Sequence, residues 1–157
     1  MKISIGSDKS GYTLRKSIEG YLSEKGVEIT VYGPQDAETA VPFYEVAPKV
    51  AKDIQSGNTD FGILICGTGM GMAQVSGKFK GVRAACCENV YSAKMCRVIN
   101  DSNVLCMGGW MIAETLGIAM TEAFLSSEFT IGVEEWRKAW LENAKNEFIK
   151  LEDEIYE

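Results

Sequence analysis

The sequence predicts an α/β protein with one parallel five-stranded sheet and helices on both faces. Short apolar runs alternate along the chain with segments of helical period, the pattern of strand–helix–strand units. The run at 61–66 (FGILIC) is apolar nearly throughout, as a strand buried on both faces is. The 157 residues, 46% hydrophobic and 24% charged, suffice for one core without a disulfide or metal staple.

Residues 2–6 (KISIG) form the first strand, and their early charge and glycine set them apart from a secretion signal. Residues 12–25 read as an amphipathic helix, and 27–32 (VEITVY) alternate as a strand does. A helix over 44–55 tolerates Pro48 only if that residue falls in the first turn, where backbone N–H groups have no partner anyway. Strand 61–66 leads into a glycine-rich turn and a short helix over 67–76. A strand at 81–86, a helix at 90–99, a strand at 103–107 (NVLCM) and a helix at 111–125 complete the unit. The crossovers should be right-handed. With no repeat, linker or low-complexity stretch, residues 1–157 read as a single domain.

The tail, about 131–155, behaves differently. Val133, Trp136, Trp140, Ala144, Phe148, Leu151 and Ile155 step by 3, 4, 4, 4, 3 and 4, one apolar stripe on a long helix. The stripe either packs on its own domain or covers a neighbouring subunit. A helix of about 30 Å outreaches a compact five-stranded unit, which favours a dimerisation arm.

Composition excludes several functions. Sixteen basic against twenty-two acidic residues give −6, with an isoelectric point near 4.8. That argues against a nucleic-acid binder, which needs a basic face. With no histidine, the chain cannot hold a Ser-His-Asp or Cys-His triad or a His-ligated metal. The five cysteines form no C-x-x-C pair and read as free thiols in a reducing cytoplasm. No apolar stretch is long enough to cross a membrane.

In open parallel sheets ligands bind at the carboxyl ends of the strands. The sharpest feature there is Cys66-Gly67-Thr68-Gly69-Met70-Gly71. Alternate glycines let backbone N–H groups converge on an anion, and such a turn favours a thiolate just before it. A base beside a nest of amides suits removal of a proton α to a carbonyl, with the nest holding the enediolate. The alternative is a buried strand-end cysteine before a tight turn. The spacing is G-x-G-x-G after the third strand, not the dinucleotide G-x-G-x-x-G, and no phosphate-binding P-loop fits. Asp8 and Lys9 end the first strand, where they can bind a sugar or its phosphate, or serve as a helix cap and a solvated charge. Arg137 is a ligand or a surface arginine, and Trp110 lines a pocket or packs in the core. Cys86, Cys87 and Cys96 read as packing residues.

Gly6-Ser7-Asp8, Gly62 through Gly71, Gly81-Val82-Arg83-Ala84, Tyr91-Ser92-Ala93-Lys94 and Asn100 through Leu105 together resemble the ribose-5-phosphate isomerase B / galactose-6-phosphate isomerase family, over roughly residues 1–140. The resemblance implies a Rossmann-like αβα sandwich in a homodimer or tetramer with active sites between subunits. It implies aldose–ketose isomerisation of a pentose or tetrose phosphate with no cofactor and no metal. Cys66 would be the base, and Thr68 with the amides of Gly67, Gly69, Met70 and Gly71 would hold the enediolate. Asp8 and Asn100 would bind sugar oxygens.

The departures from the family pattern carry information too. Lys9 stands where histidine is common, and Ile99 occupies the place of the ring-opening histidine. Of three phosphate-binding arginine positions, Trp110 and Val133 fill two and only Arg137 keeps its charge. Three readings follow. The first is an isomerase for a short or acyclic sugar phosphate, with the phosphate on Lys9 and Arg137. The second is one subunit of a heteromeric galactose-6-phosphate isomerase-like enzyme. The third is a non-catalytic sugar-phosphate binding protein.

Overall fold

A computed structural model of the chain, described over residues 1–156, contains β1 (Lys2–Ser7), α1 (Tyr12–Glu24), β2 (Glu28–Tyr32), α2 (Phe43–Ser56), β3 (Phe61–Cys66), α3 (Met70–Ser76), β4 (Ala84–Cys86), α4 (Val90–Asn100), β5 (Val104–Gly108), α5 (Glu114–Leu125) and α6 (Glu135–Ile155). The strands pair in parallel in the order β2-β1-β3-β5-β4. This is a Rossmann-like αβα sandwich, as the sequence predicts.

Alternation along the strands sorts the two cores. Ile3, Ile5, Ile63, Ile65, Leu105 and Met107 face α1, α4 and α5, with Phe124 closing that layer. Leu64, Cys66, Val104 and Cys106 face α2 and α3. The side-chain period of two therefore turns Cys66 toward α2 and α3 while its neighbour Ile65 is buried on the opposite face. The chain runs from β1 outward to β2, then back across to β3. The β1–β3 junction is thus the switch point at which a crevice opens above the carboxyl ends.

Several expected boundaries move, each for a local reason. Strand β4 keeps only three residues. Just before it, the Asn103 side chain takes two backbone groups that a ladder would use: Arg83 N–H donates to Oδ1 at 2.8 Å, and Nδ2 donates to the Gly81 carbonyl at 2.8 Å. Helix α5 starts at Glu114 because Met111 and Ile112 N–H groups both turn back to the Gly108 carbonyl. Pro48 lies inside α2, beyond its first turn. The missing N–H is tolerated because Val46, Ala47, Val50 and Ala51 bury that face of the helix completely.

Arg15 locks the chain where it leaves the sheet toward α2. Its side chain is buried; Nη1 donates to the Tyr32 carbonyl at 2.7 Å, Nη2 to the Pro34 carbonyl at 2.6 Å, and Nε lies 2.8 Å from Glu19 Oε1. A turn that strands carbonyls in the interior needs such a donor.

Helix α6 attaches to the rest of the protomer by polar contacts. Lys145 Nζ reaches Asp101 Oδ2 at 2.5 Å, Glu152 Oε1 accepts from the Gly81 N–H at 2.7 Å, and Lys80 pairs with Asp153 at 2.8 Å. Asp101 also pairs with Arg83 and Arg97. Burial alone would raise its carboxyl, but hydrogen bonds from Lys145 and Arg97 and the charge of Arg83 hold it below the ordinary value. The apolar stripe of α6 points elsewhere: Trp136, Trp140, Phe148, Leu151 and Ile155 are exposed, and Leu141 is the helix's one buried residue.

Replacing Arg15 with alanine leaves the Tyr32 and Pro34 carbonyls without their donor and Glu19 with Lys16 alone. The expected loss is about 3–5 kcal/mol of unfolding free energy, read from denaturant midpoints.

Candidate active site

The crevice at the switch point is a cavity of about 190 Å³ lined by Asp8, Ser10, Phe43, Cys66, Gly67, Thr68, Gly71 and Trp110. That is below the ~300 Å³ at which drug-sized pockets begin, so the cavity suits a small ligand.

Three strand ends build it. β1 delivers Asp8, whose N–H continues the sheet by donating to the Ile65 carbonyl at 3.1 Å. Its carboxylate accepts the Gly11 N–H at 3.0 Å, just ahead of α1, and Asp8 also lines the cavity. Burial raises the Asp8 carboxyl above its ordinary value, against the opposing hydrogen bonds from the Gly11 and Ser10 N–H groups. β3 delivers Cys66 and the glycine loop. The Gly69 N–H donates to Cys66 Sγ at 3.1 Å, and the Met70 N–H to Thr68 Oγ1 at 3.3 Å. β5 delivers Trp110 through backbone pairing that runs on past the strand. Gly109 N–H donates to the Cys66 carbonyl at 2.7 Å, and Trp110 N–H to the Gly67 carbonyl at 3.0 Å.

Gly69 is fixed by backbone shape. Its φ is +77°, and a Cβ there would stand 2.8 Å from the Met107 carbonyl carbon, which cannot yield. Two aromatic rings flank the loop. A Cβ on Gly67 would meet the Trp110 indole at 2.7–2.8 Å, and one on Gly71 would meet the Phe43 ring at 2.9–3.2 Å.

Six of the residues expected from sequence thus meet in one cavity: Asp8, Cys66, Gly67, Thr68, Gly71 and Trp110. Trp110 is 74% exposed rather than packed in the core, because the β5 backbone carries it past the sheet edge. Ser10 and Phe43 complete the lining and were not singled out by sequence. Others stand apart. Gly69 is buried behind the loop, and Met70 is exposed at the start of α3. Lys9 turns to the 33–42 loop, its Nζ 3.3 Å from the Glu38 carbonyl and 3.6 Å from Glu38 Oε2. Ile99 and Asn100 end α4 and line a different cavity with Cys86, Cys87, Tyr91 and Cys96. Arg137 is exposed in the first turn of α6.

The remaining thiols lie outside this cavity. Burial raises Cys106 well above its ordinary value and Cys86 less so, whereas a hydrogen bond with Cys96 lowers Cys87 to about 7. Among the described residues no cluster of metal-ligating side chains occurs, and no helix is long and apolar enough to cross a membrane.

A cysteine and a threonine on an amide-rich loop thus share a small cavity with a carboxylate. Comparison with known proteins gives the class of the chain. The model of the ribose/galactose isomerase family matches residues 3–139. The chain is 53% identical over 156 residues to the 4-deoxy-4-sulfo-D-erythrose isomerase of Clostridium sp. (strain MSTE9), covering 99% of this chain and 98% of that one. It is 38% identical to the D-erythrulose-4-phosphate isomerase of Pectobacterium atrosepticum, covering 84% and 87%. The ribose-5-phosphate isomerase B of Clostridium thermocellum superposes with a TM-score of 0.88 at 35% identity, covering 99% of both chains. The chain belongs to the ribose/galactose isomerase family and is an aldose–ketose isomerase.

A Gly69→Ala substitution must push the loop off Met107 and withdraw the Gly69 N–H from Cys66. Isomerase kcat should fall about 10²-fold, the cost of misplacing a reacting group by roughly 1 Å, with the far-UV spectrum unchanged.

Proposed function

We propose that this protein interconverts an open-chain four-carbon aldose and its ketose, with a sulfonate at C4. The observation that carries this reading is the absence of any histidine, with Ile99 where family resemblance puts the ring-opening group. A furanose must be opened by acid–base catalysis before its C2 proton becomes acidic. A 4-deoxy-4-sulfo-erythrose has no oxygen on C4, so no five-membered ring can close, and the aldehyde needs no release. The full-length relative at 53% identity bears the name of that substrate. In a tetrulose 4-phosphate, the substrate in the second relative's name, the C4 oxygen is esterified and ring closure is blocked in the same way.

In this reading Cys66, as thiolate, takes the C2 proton of the aldose. The electron pair forms the C1–C2 double bond of an enediolate, and the O2 hydroxyl proton passes to O1. Return of the proton to C1 gives the ketose. C1 is reduced as C2 is oxidised, so no electron acceptor is consumed. Thr68 and the amides of Gly67 and Gly71 face the developing negative oxygen, the Gly69 N–H stays on the Cys66 sulfur and the Met70 N–H on Thr68 Oγ1, and Asp8 accepts hydrogen bonds from the sugar hydroxyls. The whole chain acts as one domain.

The working form is a homo-oligomer, a dimer or tetramer, in the cytoplasm, where five free thiols stay reduced. The exposed stripe of α6 covers a second copy, since its polar contacts already hold the helix on its own protomer. Such pairing brings Asn100, Ile99 and Arg137 of one copy toward the Cys66 cavity of the other, and leaves one arginine for one anionic charge. Lys9, beside the cavity mouth, is freed for the ligand if Glu38 lets go.

The test is kcat/KM of the wild-type protein for 4-deoxy-4-sulfo-D-erythrose, D-erythrose 4-phosphate and ribose 5-phosphate. The open-chain four-carbon sugars should exceed ribose 5-phosphate by at least about 10²-fold, the usual worth of a general acid–base group. Equal or better turnover of ribose 5-phosphate overturns the reading.

A further inference from the structure

We propose that Trp110 is the specificity-determining residue that selects the charge of the group at the far end of the substrate. This rests on the open-chain four-carbon reading above.

Trp110 is placed with unusual care for a residue left 74% exposed. Its N–H is bonded to the Gly67 carbonyl at 3.0 Å. The segment before it sits so close to the loop after β1 that a Cβ on Gly109 would be 2.5 Å from the Ser10 carbonyl oxygen. Core packing does not account for this, because a buried tryptophan gains by hiding its ring. The ring lies instead flat against Gly67, with Cδ2, Cε2 and Cζ2 all within 2.7–2.8 Å of where a Cβ would be. It walls one end of the cavity while Phe43, against Gly71, walls another.

An indole offers a ligand one N–H donor and no charge. Nε1 is bonded to Cε2, one of the atoms lying on the catalytic loop, and among the described residues it has no hydrogen-bond partner. The cavity lining contains no lysine or arginine; its charged side chain is the Asp8 carboxylate. A terminal group entering here therefore meets a neutral indole and no cation from the cavity lining of the same protomer. A sulfonate carries a single negative charge. A phosphate monoester carries about −1.5 to −2 at neutral pH. One arginine from a second copy matches the single charge of a sulfonate, and the extra charge of a phosphate has no counter-ion in the cavity while Lys9 stays paired with Glu38, which disfavours it.

The experiment compares wild type, Trp110→Arg and Trp110→Phe on 4-deoxy-4-sulfo-D-erythrose and D-erythrose 4-phosphate, with kcat and KM determined separately. Wild type should prefer the sulfonate. Trp110→Arg should shift the sulfonate-to-phosphate ratio of kcat/KM at least about tenfold toward phosphate, through KM for the phosphate. Trp110→Phe, which keeps a ring and removes the N–H, should raise KM for the sulfonate about tenfold and leave kcat within about twofold. An unchanged ratio in Trp110→Arg overturns the inference. If that variant does not fold, an unchanged sulfonate KM in Trp110→Phe overturns it. Wild-type turnover of neither four-carbon sugar overturns the reading and this inference together, whereas turnover with no preference for the sulfonate overturns the inference alone.

Discussion

The site depends on a backbone contact that leaves no room for side chains. The β3–β5 pairing runs on past the sheet, so that Gly109 and Trp110 donate to the carbonyls of Cys66 and Gly67. A Cβ on Gly108 would meet the Thr68 and Gly67 backbone at 2.9–3.0 Å. These bonds hold the glycine loop against β5, where Gly69 takes a left-handed turn and its N–H donates to the Cys66 sulfur. They also fix the Trp110 ring as a wall. One strand pairing thus positions Cys66, the amides around it and the Trp110 ring, on rigid elements as precise chemistry requires.

The charge distribution follows a similar logic at longer range. Basic side chains that could gather an anion are engaged elsewhere in the protomer or lie far out on it. Arg15 is spent on the loop leading into α2, Arg83, Arg97 and Lys145 converge on Asp101, and Arg137 sits exposed at the start of α6. The cavity is therefore poor in cations for a site in a family that includes phosphosugar isomerases. An open-chain substrate with one fixed charge makes the smallest demand on such a site, for ring opening and for neutralisation alike.

The fold was legible because its signals are local. The apolar run at Phe61–Cys66 marks a strand buried on both faces, and the glycine spacing after it marks the loop. What sequence missed depends on contacts distant along the chain. Phe43 enters the cavity from the start of α2, against Gly71 of a loop nearly thirty residues further on. Pro48 survives inside a helix because of the core it packs on. The extent of β4 is decided by Asn103, some twenty residues away. Of the candidate residues, those on β1, β3 and β5 converge because parallel strands end at one edge. Ile99, Asn100 and Arg137 lie on helices directed elsewhere, so a single chain cannot unite them with Cys66.

The most direct test of the central claim follows the proton itself. Wild-type protein and Cys66→Ala are incubated in D₂O with 4-deoxy-4-sulfo-D-erythrose, and the C1 and C2 positions are followed by NMR. A thiolate base working through an enediolate predicts deuterium at C2 of the aldose and C1 of the ketose with wild type. The rate should fall by at least about 10²-fold in the folded alanine variant. Exchange at the wild-type rate without the Cys66 sulfur would contradict the account.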